Sequence, residues 1–324
     1  MPQITSIQPP RTVGGGRVTV HGEGLPVDPL PAVTFGGVSA RLAFVSPRRI
    51  VVHTPNDLEG GPAAVRIGGV PNGSAVISIG APWATGLHQV DNPVFDADGN
   101  LYVTYSGPRG QESPVSIFRV TPAGTREAFA SGIVNATSMT IGPDRSLYVS
   151  SRFEGAVYRV ARDGTYEAVA SDLGVACGIA FDADGWMYVG DRSGTVFRVR
   201  DGRAAAFATL PPSVAAFHLA MGPSGELYVS APTLDPYDQV YRISRLGEVS
   251  RLPTSFGRPQ GLAIGPDRAL YVVDSQAGAS GVYRLASDDG PPELVVSGVS
   301  LIGLAFGPSG ELVVVSNETA YRFD

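Results

Sequence analysis

The sequence contains no lysine, a single cysteine and no long apolar run. All 24 of its basic residues are arginines, so a catalytic lysine Schiff base is excluded. Cys177 stands alone, which excludes internal disulfides and thiolate metal clusters. No apolar stretch reaches the ~18 residues that a membrane-spanning helix needs, so no membrane span is predicted. These absences leave an ordinary globular protein.

Charge is also sparse. Charged residues make up 17% of the 324 residues, and 24 basic against 30 acidic residues give a net charge of −6. A nucleic-acid partner is not expected, because a phosphate-binding face needs clustered basic residues. Residues 1–10 show no charged segment followed by an apolar one, so we expect no secretory signal. The expected compartment is the cytoplasm, or the exterior if a leader was removed.

One stretch, residues 178–199, recurs through most of the chain. It contains three short strands separated by Asp/Gly turns, and a fourth strand follows in five of its copies. The copies have a period of roughly 40–45 residues, which is typical of a β-propeller. Six copies predict an all-β fold with six blades. The second strands of the copies are anchored at Tyr102, Tyr148, Tyr188, Tyr228, Tyr271 and Val313.

The sixth copy lacks a fourth strand, and a segment at the front of the repeat region supplies a candidate. Residues 83–87 align without a gap with residues 129–133, which end the fourth strand of the first copy. We therefore predict that residues near 82–84 complete the last blade from the N-terminal side of the ring. Closing the ring in this way leaves no open sheet edge.

Residues 1–79 do not share the repeat and are predicted to form a separate domain ahead of the propeller, residues 80–324. Seven short strands split by Gly/Pro turns suggest a small immunoglobulin-like sandwich. The motif order of residues 4–9, 14–22, 33–38 and 50–55 resembles the TIG/IPT domain, which is usually a spacer or an interaction module. The predicted strands span residues 4–7, 17–21, 32–35, 40–45, 49–53, 63–67 and 75–79.

The repeat region resembles NHL-repeat propellers and, more loosely, the gluconolactonase/regucalcin family. Residues 259–263 followed by 270–274 carry the NHL-like phrase, and residues 178–191 carry it again. This resemblance implies a site at the propeller mouth, where first strands begin and second strands end. The first strands begin with Asp91, Thr137, Cys177, Phe217, Gln260 and Ile302.

A divalent cation at the mouth is one implication of the gluconolactonase resemblance. Those enzymes hold an ion with a Glu, Asn residues and an Asp, so Asp91 could replace the Glu and Gln260 one Asn. Ca²⁺ or another divalent cation would suit such oxygen ligands. The Asp that serves as catalytic base is absent, however, which weakens the lactonase interpretation. Asp191 and Asp274, at the ends of second strands, are interpreted as structural acceptors of backbone N–H groups.

His218 replaces a glycine of the repeat and is the candidate catalytic residue. Streptogramin-lyase-like propellers use a mouth histidine with Mg²⁺, so a general base is one interpretation. A packed, hydrogen-bonded histidine beside Phe217 is the other interpretation.

The mouth loops of blades one, four and five are the longest, at residues 105–116, 231–239 and 275–281. Long loops on a rigid scaffold commonly carry binding sites. The ligand-binding candidates are Asn135, His218, Tyr237, Arg258 and Gln260. The sequence predicts a non-catalytic binding or scaffold protein with a protein or glycan partner. The alternative is a metal-dependent, lactonase-like hydrolase or lyase.

Overall fold

The computed structural model of the protein describes residues 1–71, 74–215, 217–276 and 278–323. Throughout these ranges the regular elements are β-strands, and no helix is present. The described residues accordingly contain no helix that could cross a membrane. This all-β architecture follows from short segments rich in Val, Tyr and Phe between Gly, Pro and Asp turns.

The N-terminal part folds as two facing sheets. One sheet has the order β1-β3-β7-β6, and the other contains β9, β8, β4 and β5. In β3, buried and more exposed residues alternate, so Val18 and Val20 enter the core with Phe35, Ile50 and Ile77. The strands are β1 (Gln3–Gln8), β2 (Arg11–Thr12), β3 (Arg17–Glu23), β4 (Val33–Phe35), β5 (Val38–Ser39), β6 (Arg41–Val45), β7 (Arg49–His53), β8 (Gly61–Ile67) and β9 (Ser74–Ile79).

The remaining strands pair in groups of four antiparallel neighbours, which we number as sheets one to six. Sheet one contains β11 (Val94–Phe95), β12 (Leu101–Thr104), β13 (Ile117–Val120) and β14 (Arg126–Ala130). Sheet two contains β15 (Ala136–Ile141), β16 (Leu147–Ser151), β17 (Ala156–Val160) and β18 (Tyr166–Ala170). Sheet three contains β19 (Ala176–Phe181), β20 (Met187–Asp191), β21 (Thr195–Arg200) and β22 (Arg203–Thr209).

Sheets four to six repeat this pattern. Sheet four contains β23 (His218–Met221), β24 (Leu227–Ser230), β25 (Asp238–Ile243) and β26 (Val249–Phe256). Sheet five contains β27 (Pro259–Ile264), β28 (Leu270–Asp274), β29 (Gly281–Leu285) and β30 (Glu293–Ser297). Sheet six contains β31 (Leu301–Phe306), β32 (Leu312–Ser316), β33 (Thr319–Phe323) and β10 (Ala81–Thr85).

The first strands of the six sheets contact one another in sequence order. β15, β19, β23, β27 and β31 each contact the next, and β11 contacts both β15 and β31. In sheet six, β10 pairs antiparallel with β33, with Pro82 opposite Tyr321. Aromatic rings fill the space between neighbouring sheets. For example, Tyr148 of sheet two and Phe181 of sheet three meet edge to face at 4.8 Å.

The short strand β2 joins the N-terminal part to sheet five. It runs parallel to both β30 and β9, so one nine-stranded sheet extends from β27 to β5. Thr12 is fully buried at this junction, where its Oγ1 lies 2.8 Å from Thr54 Oγ1 and 2.9 Å from Ser297 Oγ. A Cβ on Gly16 would lie 2.6 Å from the Ser297 carbonyl oxygen, so only glycine fits there. The N-terminal domain is thus hydrogen-bonded to sheet five.

Candidate ligand site at one end of the repeat sheets

A cavity of about 260 Å³ lies where first strands begin and second strands end. Four of the six first-strand starting positions contribute to its wall. Three residues that follow second strands and three that precede first strands complete the wall. The cavity is lined by Gln89, Val90, Thr137, Arg152, Cys177, Arg192, Ala215, Gln260, Ile302 and Asn317.

Hydrogen bonds between neighbouring sheets hold the first strands in place. Ser150 Oγ of sheet two donates to the Cys177 carbonyl of sheet three at 2.5 Å. Ser230 Oγ of sheet four donates in the same way to the Gln260 carbonyl of sheet five at 2.5 Å. Asn92 links sheets five and six, because its Nδ2 donates to the Leu262 carbonyl at 2.7 Å. Its Oδ1 accepts the N–H of Leu304 at 2.9 Å. The cavity is therefore carried on a rigid frame.

Asp91 and His218 form a buried pair between sheets one and four. His218 Nδ1 lies 2.5 Å from Asp91 Oδ1, and the side chains are 0% and 2% exposed. The Asn92 N–H also donates to Asp91 Oδ1 at 2.6 Å. Asp91 Oδ2 and His218 Nε2 have no hydrogen-bond partner among the described residues. Neither side chain lines the cavity, so the pair is not positioned to touch a ligand there.

Two arginines give the cavity a positive wall. Arg152 and Arg192 are half-buried, and neither guanidinium lies within 4.0 Å of a carboxylate among the described residues. Arg192 Nη2 donates to the Val214 carbonyl at 3.1 Å. Burial lowers the pKa of the Arg152 guanidinium, and the positive charges of Arg192 and Arg109 lower it further. The cavity wall therefore carries two guanidinium groups that have no ion-pair partner among the described residues.

The positive charge of Arg152 also acts on His88. Burial lowers the pKa of the His88 imidazole, and the positive charge of Arg152 lowers it further. The imidazole ring also stacks edge to face on Tyr105, with ring centroids 5.9 Å apart.

The amide side chains of the cavity wall differ in how many of their hydrogen-bonding atoms are free to bond a ligand. Gln89 is fully buried and engaged, since its Nε2 donates to the Asp91 carbonyl at 2.7 Å and its Oε1 accepts the Thr104 N–H at 2.8 Å. Asn317 Nδ2 donates to the Gln89 carbonyl at 2.9 Å. The Gln260 side chain is half-buried and makes no hydrogen bond within the described residues. Gln260 is therefore the wall amide that can bond a ligand at both its oxygen and its nitrogen.

Asp191 and Asp274 accept backbone hydrogen bonds at the ends of their strands. Asp191 Oδ1 accepts the N–H of Val175 at 2.8 Å. Asp274 accepts the N–H groups of Gly257 and Arg258 at 2.9 and 2.7 Å. Both carboxylates are buried, and each holds the loop that enters the first strand of its own sheet.

Asn135 organises the mouth loop of sheet one. It is 1% exposed and has a φ of 50°. Its Nδ2 donates to the carbonyls of Ser106 and Pro108 at 2.6 and 2.9 Å, and its Oδ1 accepts the Gly110 N–H at 2.7 Å. This buried amide acts as a clamp on the loop and is not presented to solvent as a ligand contact or glycan acceptor. Asn72, which begins an Asn-Gly-Ser motif for potential N-glycosylation, lies outside the described residues.

Tyr237 and Arg258 are exposed and lie outside the cavity wall. Tyr237 is 61% exposed at the tip of the loop between β24 and β25. That loop is held by Asp238, whose Oδ1 accepts the Thr233 hydroxyl at 2.8 Å. The structure thus places Gln260 in the cavity wall and buries His218 and Asp91 outside it. Tyr237 and Arg258 are exposed and do not line the cavity.

The side chains do not assemble the donor set that a divalent cation needs. No three residues of the types His, Cys, Asp and Glu converge in the parts of the chain that the structure describes. Of the proposed ligands, Asp91 is bound to His218, whereas Gln260 offers a neutral amide in the cavity. A hard cation takes several oxygen ligands, including carboxylates, so these residues do not fit one.

Sequence reasoning missed Arg152 and Arg192. Each follows the last residue of a second strand, one position beyond those inspected for the mouth. In the six sheets this position is Ser106, Arg152, Arg192, Pro232, Ser275 and Asn317. An alignment of the repeats shows arginine at this position in two successive copies, and that pattern could have identified both residues from the sequence.

Two segments of the chain match known families. Residues 2–78 match the IPT/TIG domain family, and residues 178–199 match the family described as strictosidine synthase-like, N-terminal. Among curated proteins, none matches this chain.

Solved structures resemble the chain at low sequence identity. An auxiliary nutrient binding protein from Bacteroides thetaiotaomicron is 12% identical, with a TM-score of 0.59 over 99% of this chain and 97% of its own. A gluconolactonase from Xanthomonas campestris is 13% identical, with a TM-score of 0.62 over 81% and 89% of the two chains. The virginiamycin B lyase from Staphylococcus aureus is 14% identical, with a TM-score of 0.53 over 75% and 86%.

At these identities the likeness establishes the fold alone. The chain therefore has an IPT/TIG domain at its N-terminus, followed by an all-β region with the propeller-type fold of the gluconolactonase-like and NHL-like proteins.

Proposed function

We propose that this protein is a non-catalytic binding protein that takes a glycan in the mouth cavity. The observation that carries the proposal is a preformed polar cavity whose Arg152, Arg192 and Gln260 side chains have unused hydrogen-bonding capacity. Binding sites of small ligands are concave and preformed, with a few polar groups that fix orientation.

The character of the wall favours a glycan over a protein partner. Its polar side chains suit hydroxyl groups, and its apolar members, Val90, Cys177, Ala215 and Ile302, are not aromatic. Protein interfaces are broad and are anchored by Trp, Tyr and Arg. The exposed Tyr237 lies in the loop between β24 and β25, and we propose that it contacts the remainder of a longer glycan.

We also propose an arrangement for the six repeat sheets and the N-terminal domain. We infer that sheets one to six are the six blades of a closed propeller, residues 80–324, and that residues 1–79 are the separate IPT/TIG domain. The cyclic contacts of β11 with β15 and β31 support closure, as does the pairing of β10 with β33. Such a ring holds the cavity wall rigid, so little order is lost when a ligand binds.

The similar structures include both a binding protein and enzymes. One neighbour is described as an auxiliary nutrient binding protein and spans nearly the whole chain. Others are described as a gluconolactonase and a lyase, which are the basis for the alternative of a metal-dependent hydrolase or lyase. We favour binding because Asp91 and His218, which the alternative needs as ligand and base, are buried against each other.

The test is a glycan binding screen of the full chain with a variant that fills the cavity. Ile302→Trp introduces a large ring at the wall without removing a hydrogen bond. Leu246→Trp is the matched control, since Leu246 is 85% exposed in the turn between β25 and β26. We expect binding of at least one glycan, detected by calorimetry, to be lost in Ile302→Trp and kept in Leu246→Trp.

The same preparation is assayed for lactone hydrolysis with and without Ca²⁺ and Mg²⁺. Turnover that needs a divalent cation and disappears in Asp91→Ala would overturn the proposal in favour of the enzyme. Binding that survives Ile302→Trp would move the glycan site away from the cavity.

A further inference from the structure

We infer that the glycan held in the mouth cavity carries a carboxylate, which Arg152 and Arg192 bind together. This inference rests on the function proposed above and names the chemical class of its ligand. Its first support is position: the two arginines follow β16 and β20, so adjacent sheets present two guanidinium groups to one cavity. A guanidinium binds a planar carboxylate through two parallel, charge-assisted hydrogen bonds, and a second guanidinium adds further donors and positive charge.

The second support is the lack of an internal counterion. Within the described residues, four arginines of the repeat sheets form ion pairs, as Arg119 does with Glu127 at 2.7 Å. Arg152 has neither an ion pair nor a hydrogen bond to a carboxylate among the described residues, although part of its side chain is withdrawn from water. Burying a cation without a partner is costly. A bound anion removes that cost.

The third support is the use made of nearby acids. Asp191 lies next to Arg192 in the chain, but its Oδ1 accepts the N–H of Val175. Asp91 is occupied by His218 and the Asn92 N–H. Both carboxylates are thus committed to the frame, and neither reaches the guanidinium groups. The anion that completes the site has to come from outside.

Cavity size and the remaining donors restrict the carrier of this carboxylate. A volume of about 260 Å³ lies below the ~300–1,000 Å³ of sites for drug-sized ligands, which suits one sugar unit. Gln260 can bond hydroxyls as both donor and acceptor. A sugar acid unit, with a carboxylate and several hydroxyls on one ring, matches this set of groups.

The experiment compares sugar acids with their neutral counterparts. Galacturonate, glucuronate and mannuronate, each as monomer and short oligomer, are titrated against the full chain by calorimetry. Galactose, glucose and mannose with their oligomers are the neutral controls. We expect at least one sugar acid to bind at least roughly tenfold more tightly than its neutral counterpart, as expected for a hydrogen bond to a charged group.

Three variants locate the effect. Arg152→Gln should weaken sugar acid binding by roughly tenfold or more and leave neutral sugars unaffected. Arg152→Lys keeps the charge but loses the planar fork, so an intermediate loss is expected. Arg162→Gln removes the same charge from an exposed position in the turn after β17 and should change nothing. Thermal unfolding of each variant checks that it folds.

Each outcome decides a different part of the argument. Sugar acids and neutral sugars could bind equally well, with binding lost in Ile302→Trp and kept in Arg152→Gln. That result would overturn the inference that the ligand carries a carboxylate, but it would support the proposed glycan function. Capture of a peptide with a C-terminal glutamate, with no sugar acid bound, would reassign the cavity to proteins. If no sugar of either kind binds, both proposals fail. Affinity that falls as NaCl rises toward about 0.5 M supports the charge pairing, because salt screens such contacts.

Discussion

His218 Nδ1 and Asp91 Oδ1 are 2.5 Å apart, although their first strands are three sheets apart in either direction of the cyclic contacts. Asp91 precedes β11 in sheet one, and His218 begins β23 in sheet four. The hydrogen bond therefore joins sheets one and four, which are not neighbours in the order of contacts. Because both side chains are buried, the pair contributes to the stability of the whole repeat region.

Asp91→Ala should destabilise the protein by about 3 kcal/mol, since it leaves a buried imidazole without its partner. Asp91→Asn should cost less, because the amide oxygen can still accept a hydrogen bond from Nδ1. Urea unfolding followed by tryptophan fluorescence measures both changes. Equal free energies of unfolding for Asp91→Ala and the unsubstituted chain would show that the pair is energetically silent.

Gly16→Ala should weaken the junction between the N-terminal domain and sheet five. The new methyl group would lie 2.4 Å from Thr12 Oγ1 and 2.6 Å from the Ser297 carbonyl oxygen. Overpacking of this kind costs about 1–3 kcal/mol. Gly68→Ala is the matched control, because its methyl group would meet the Ala32 carbonyl oxygen at an ordinary 3.5 Å. Chemical unfolding should separate the two variants, and equal midpoints would contradict the account of the junction.

Asn135→Gly should release the mouth loop of sheet one without straining the backbone. Glycine accepts the φ of 50°, but the hydrogen bonds to Ser106, Pro108 and Gly110 are lost. We expect faster amide hydrogen exchange over residues 106–110, measured by mass spectrometry. Ser300→Gly is the control, since Ser300 also has a positive φ of 55° but an exposed side chain. Unchanged exchange in Asn135→Gly would mean that other contacts hold the loop.

The Cys177 thiol should be unreactive in the folded protein. Burial raises the pKa of the Cys177 thiol to about 12, so at pH 8 the group is protonated and shielded. Thiol reagents should label it only after unfolding in urea. Labelling at the same rate in native buffer would contradict the burial of this residue.

The same pKa predicts how this residue affects stability as pH changes. The unfolded thiol ionises near pH 8.5, whereas the folded thiol keeps its proton until about pH 12. Its contribution to stability is therefore complete below about pH 8.5 and is lost as the pH rises toward 12. The stability difference between the unsubstituted chain and Cys177→Ala should change in this direction between pH 7 and pH 10, as measured by urea unfolding.

The sequence predicted the all-β fold and the IPT/TIG domain because both are written in local patterns. Each second strand has an aromatic or aliphatic residue at the same position, and each turn has an Asp or a Gly. The other copies of the repeat can therefore be recognised from the sequence of one copy. The strand β2 was not predicted, because Arg11 and Thr12 between Pro10 and Val13 form no alternating pattern. Its pairing with β30 depends on contacts with residues almost the whole chain away.

The candidate site was predicted only in outline. Gln260 was identified from its position in the repeat, and the structure brings it to the cavity. The pairing of Asp91 with His218 could not be predicted, since it depends on how sheets one and four are placed relative to each other. Arg152 and Arg192 lie one residue beyond the strand ends, where the backbone turns and the facing direction of a side chain no longer follows the alternation of the strand.

The pairing of β10 with β33 has a consequence for how the chain folds. β10 is made before every other strand of the repeat sheets, whereas residues 319–323 are made after all of them. During synthesis, the whole repeat region must therefore leave the ribosome before β10 can pair with β33, and until then the edges of β10 and β32 stay open. Long-range pairing of this kind makes folding slow and leaves the nascent chain prone to association. β33 is thus the strand that joins β10 to β32, and its deletion should leave a collapsed intermediate that is prone to association.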